Sequence, residues 1–84
     1  MTSSDTDRLK DGSATYQVRV RGVLDTSWSD NLNGMSIVTD YVGDDPPISI
    51  LTGRLADQAA LTGVLNSLHD LGFALLSVEI LSVR

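Results

Sequence analysis

The hydrophobic period changes twice along this chain, and that change limits the folds open to it. Residues 15–24, TYQVRVRGVL, alternate: Tyr16, Val18, Val20 and Leu24 share one face, and Gln17, Arg19, Arg21 and Val23 share the other. A period of two belongs to a strand with one buried face. Residues 57–71 repeat at three and four instead, with Leu61, Val64, Leu65, Leu68 and Leu71 in one stripe. That is the pattern of a helix with one buried side. Residues 73–83, FALLSVEILSV, return to alternation. Ala74, Leu76, Val78 and Ile80 are predicted on one face, and Leu75, Ser77, Glu79, Leu81 and Val83 on the other. The chain has 84 residues, enough for one domain. At that size roughly 63% of the unfolded surface is buried, so the core is one sheet and what packs on it.

Two further strands are expected between these segments. Met35, Ile37, Thr39 and Tyr41 alternate in residues 35–42, and Ile48 and Ile50 alternate in 48–54 with Leu51 on the opposite face. The intervening GDDPP is a loop, because neither proline can donate a ladder hydrogen bond. Residues 25–34, DTSWSDNLNG, are turn-forming, and Asn33-Gly34 suits backbone with positive φ. Trp28 and Leu32 are four apart, so one helical turn is expected to aim both at the core. Asp57 is the expected helix N-cap and Gly72 the residue just past its end, with Phe73 closing over Leu68.

Leu51-Thr52-Gly53-Arg54-Leu55 returns ten positions later as Leu61-Thr62-Gly63-Val64-Leu65. The first copy ends a strand and the second lies inside a helical period. Ten residues match no repeat architecture and there is no third copy, so the two are unrelated in structure. The element order is strand, short turn, strand, strand, helix, strand. The reading is an α+β domain over residues 14–84: a four-stranded sheet with one helix packed on one face. Two sheet orders allow a right-handed crossover. One, 4-1-3-2, resembles a ferredoxin-like plait lacking its first helix; the other is a 1-2-3 meander with the last strand added. The first is favoured because it sets Glu79 on the strand next to Arg19 and Arg21. Residues 1–13 are polar apart from Met1 and Leu9 and are expected to form a flexible tail.

Composition bears on partners. A net charge of −5 repels phosphate backbones, which argues against nucleic acid. No apolar run approaches a membrane span and the N-terminus has no apolar secretory core, so no membrane partner is expected. There is no cysteine, which excludes disulfides and thiolate metal sites and fits a cytoplasmic location.

Catalytic chemistry is sparse. His69 is the one histidine, set in the last helical turn where a cation suits the helix dipole. No nucleophile accompanies it, so no catalytic residue is assigned and no enzyme is expected. Asp40, Asp44 and Asp45 surround the proline loop but match no metal-binding spacing, and neither metal nor cofactor is expected. Gly53, Gly63 and Gly72 form no phosphate-binding fingerprint. Trp28 is expected to be a core anchor under its loop.

The surface is more informative. The outer helix face carries Ala59, Thr62, Gly63 and Asn66, where lysine and glutamate are usual. Leu75, Leu81 and Val83 are expected on the outer face of the last strand, as a second apolar patch. One helix leaves the other side of a sheet open, and an apolar open face finds a partner. Both patches predict an oligomer interface, with the sheet face as the main contact. The expected role is a non-enzymatic interaction module, homo-oligomeric or docked on a larger subunit. The alternative is a regulatory domain that senses a small molecule or anion, with its site at the subunit interface near Arg19, Arg21 and Glu79.

Gly22 to Leu24, Leu51 to Gly53, Asp57 to Leu61 and Asp70 to Gly72 together resemble the signature of a family of small uncharacterised bacterial and archaeal proteins. The resemblance covers residues 16–81. It supports the fold expected above and implies no activity.

Overall fold

The structure, a computed structural model, describes residues 14–83. The expected tail, residues 1–13, lies outside the described residues. Alternation becomes sheet in four places: β1 (Ala14–Arg21), β2 (Ser36–Asp40), β3 (Ile48–Leu55) and β4 (Ala74–Val83). A 3-10 helix, η1 (Thr26–Leu32), joins β1 to β2, and one α-helix, α1 (Gln58–Asp70), joins β3 to β4. The sheet order is β2-β3-β1-β4 with every neighbouring pair antiparallel. This is the order expected of a plait whose first helix is missing. The η1 segment makes the crossover that the missing helix would make.

The core lies between the sheet and these two helices. Ala14, Tyr16, Val18 and Val20 of β1 are buried on one face, opposite Leu55, Gly53, Leu51 and Ser49 of β3. Ile37 joins from β2, Leu24, Leu32 and Met35 from the η1 connection, and Val64 and Leu68 from α1. Arg19 and Arg21 point to the opposite, open face beside Ile50 and Ile48.

Local chemistry sets the boundaries. The Asp57 carboxylate accepts from the Ala60 N–H at 2.8 Å, which satisfies a free donor of the first helical turn. At the other end Gly72 has φ +90°. Its N–H donates to the His69 carbonyl at 2.9 Å, and the Phe73 N–H donates to the Leu68 carbonyl at 3.0 Å. These two bonds are a Schellman ending. The expected β2 is shorter than its alternation, because Tyr41 and Val42 run past Ile48, the last β3 residue able to pair. Both are exposed.

Ser49 holds the end of β1 in place. Its buried hydroxyl donates to the Gly22 carbonyl at 2.6 Å and accepts from the Leu24 N–H at 2.8 Å. The chain leaves β1 at Gly22, whose φ is +118° and whose Cβ position lies 3.0 Å from the Phe73 ring. Leu24 is thereby buried although it lies beyond the strand that the alternation assigned to it.

The expectation for Trp28 is corrected. Leu32 is buried, but Trp28 is 37% exposed. A 3-10 helix turns once every three residues, so positions four apart diverge by about a third of a turn. The spacing that aims two side chains at one core in an α-helix therefore aims one of them away here.

Candidate interaction surface

The last strand departs most from simple alternation. β4 pairs with β1 through two irregularities, between Thr15 and Tyr16 and between Arg19 and Val20. Each leaves one β4 residue, Leu81 and Leu76 respectively, without a directly opposed partner. A bulge of this kind interrupts the alternation of faces. Leu75 then lies opposite Val20, Val78 opposite Val18, and Ile80 opposite Tyr16, all on the helix side. Ala74, Ser77, Glu79 and Ser82 lie opposite Arg21, Arg19, Gln17 and Thr15, on the open side.

This corrects the expected outer patch. Leu75 does not share a face with Ser77 and Glu79, and the register position of Val83, opposite Ala14, is also on the helix side. Leu81 stands at a bulge between the two sets. Two inserted residues re-phase the strand, and no alternation pattern reveals an insertion of one residue.

The helix side of β4 is nevertheless only partly covered. Among the residues whose burial is described, the core contains none from β4. Leu75, Leu76, Val78, Ile80 and Leu81 are each between 36% and 52% exposed. The helix is spent on the sheet centre, where Val64 and Leu68 are buried, while Leu61 and Leu65 are half-buried at its flank. β4 is also a sheet edge, ten residues long, with Glu79 its one charged residue. Folded proteins usually protect such an edge with lysine, proline or brevity. β4 has none of these three, and its two bulges and Glu79 are the edge protection it does carry.

The other expected positions are accounted for as follows. Ala59, Thr62, Gly63 and Asn66 are all exposed on α1, as the helical phase requires, and a Cβ at Gly63 would meet open space. Arg19 and Arg21 are exposed on the open face, and Glu79 is on that face too. The register opposes Glu79 to Gln17, which makes Arg19 its diagonal neighbour and leaves Arg21 further along. Neither arginine makes an ion pair with it. The Ser77 hydroxyl, beside Arg19, is buried and has no hydrogen-bond partner among the described residues.

His69 and Asp70 lie 3.8 Å apart on a fully solvated helix end. Among the described residues no three of His, Asp and Glu come together as a metal site. A cleft of about 210 Å³ lies between η1 and the end of α1, lined by Trp28, Asn31, Leu32, Ser67, Asp70 and Leu71. It is smaller than a usual small-molecule pocket of ~300–1,000 Å³. Among the described residues no helix is long and apolar enough to cross a membrane.

These features define a small α+β domain whose most distinctive surface is an apolar sheet edge. The chain belongs to the family described as Domain of unknown function (DUF8691), which it matches over residues 15–79. No curated protein and no solved structure matches it.

Proposed function

We propose that this domain is a non-enzymatic interaction module that acts by self-association, with β4 as the contact strand. One observation carries the reading: among the described residues, the edge strand β4 adds none to the buried core yet holds five large aliphatic side chains partly in water. Covering apolar surface is favourable by roughly 25 cal/mol per Å². Burying that strip is the largest gain this surface offers. The acidic chain and cysteine-free composition suit a cytoplasmic setting without nucleic acid or membrane. A larger protein subunit could use the same edge, and it would then appear as a mixed complex.

Light scattering on the full chain tests the reading. The unmodified protein should be oligomeric at high concentration. Leu81→Glu should shift it toward monomer, because a charge in an apolar contact loses its water without gaining a partner. Gly63→Glu, on the exposed back of the helix, should leave the mass unchanged. If Gly63→Glu dissociates the oligomer and Leu81→Glu does not, the contact is helical. A monomeric unmodified protein rejects self-association.

The second reading, an anion site on the open face, draws support from Arg19 and Arg21, two exposed guanidinium groups that form no ion pair with Glu79. Titration with phosphate and with a dicarboxylate would detect such a site, and Arg19→Ala should abolish the heat of binding.

A further inference from the structure

We infer that β4 pairs with β4 of a second copy, antiparallel, about a two-fold axis at Val78. The inference rests on the self-association reading and adds to it the partner strand and its register.

An axis perpendicular to the sheet continues it across the pair without turning a face over, so residues brought opposite each other must share a face. On β4 the bulges at Leu76 and Leu81 leave residues 77–80 as the evenly alternating run between them. Ser77 and Glu79 are on the open side, and Val78 and Ile80 on the helix side. Four axes fall on this run. An axis at Ser77 sets Glu79 against Leu75, which are on opposite faces. An axis at Ile80 sets Val78 against Ser82, with the same conflict. An axis at Glu79 places two carboxylates directly opposite each other, and like charges there are destabilising.

The axis at Val78 meets none of these objections. It opposes Val78 to its own copy and Ser77 to Glu79 of the second copy. Arg19 lies next in the same cross-strand row, opposite Ser77 on β1. The row becomes arginine, serine and then carboxylate of the second copy, so the one charge on β4 meets an opposite charge. On the helix side Leu75 and Ile80 come against aliphatic residues of the second copy, at the flank left by half-buried Leu61 and Leu65.

The natural chain has no cysteine, so a single introduced one reports alone. In full-length Val78→Cys, with circular dichroism matching the parent, a short bis-maleimide should link most of the protein into a covalent dimer. Ala74→Cys should not link, because its two copies stand about 27 Å apart at ~3.4 Å per residue. Glu79→Lys sets a lysine toward Arg19 of the second copy and should raise the dimer dissociation constant about tenfold, by like-charge repulsion across strands. Glu79→Gln removes a charge without adding a like one and should change it less. If the protein self-associates but links at Ala74 and not at Val78, the pairing is overturned and the self-association reading stands. An unchanged dissociation constant in Glu79→Lys also overturns this register. A protein that remains monomeric overturns both.

Discussion

The two Leu-Thr-Gly tripeptides show how little a residue's identity says about its role. Gly53 lies opposite Tyr16 in β3, and a Cβ there would stand 2.9 Å from Met35 Cγ and 3.0 Å from Met35 Cα. The second contact is backbone, which cannot rotate away. Gly63 faces open space on the helix. Gly53→Ala should therefore destabilise by about 1–3 kcal/mol through overpacking. Gly63→Ala should stabilise by about 0.5–1 kcal/mol, since glycine is the costlier residue inside a helix. Urea denaturation of both variants reads the contrast, and equal effects would mean that Met35 does not approach β3 so closely. The sequence distinguishes the two glycines by period, which places one in a strand and the other in a helix. It does not reveal that Met35, eighteen positions earlier, makes Gly53 obligatory. Nor does it reveal that Ser49 is a buried clamp on Gly22 and Leu24. Serine in an alternating strand carries no signal of its partners.

At the scale of elements, α1 was the most legible. Its stripe, its aspartate cap and its glycine ending all act within a few residues of themselves. The stripe is centred on Val64 and Leu68, with Leu61 and Leu65 at its flank and Leu71 at its exposed end. Leu68→Ala should cost about 2–5 kcal/mol, the range for truncating a buried leucine. Leu71→Ala should stay within about 0.5 kcal/mol, as for a surface change. The denaturation midpoints of the two variants check this, and a neutral Leu68→Ala would require a different helical phase. The failures were at elements where the period itself was misjudged. In η1 a three-residue turn replaced the assumed α-turn and left Trp28 outside. In β4 the bulge at Leu76 reversed the face of Leu75 relative to Ser77.

At the scale of the molecule, one α-helix and a 3-10 segment must cover four strands. Among the described residues they bury side chains of β1, β2 and β3, and the aliphatic side chains of β4 stay about half exposed. If association covers them, folding and association are linked, because a partner that binds the folded state alone raises its stability. The melting temperature of the full chain should then rise by a few degrees for each tenfold increase in concentration, since about 1.4 kcal/mol is at stake per decade. In Leu81→Glu it should become independent of concentration. A concentration-independent transition in the parent would separate the fold from any association.

What the sequence by itself determined is local: which segments alternate, where the helical period starts, and which residues cap it. Each of these depends on neighbours within about one turn or one strand. Composition also decided how little charge the second half of the chain carries. The strand order 4-1-3-2 was one of two that handedness allowed, and the charge argument favouring it found the right strands but not the right register. The tertiary structure decided what depends on distant backbone. It set the bulges that β4 adopts against β1 and the approach of Met35 to Gly53. It also set the reach of one helix across the sheet, which leaves the side chains of the fourth strand about half exposed. A pairing register is a property of two strands at once. No pattern along one of them contains it.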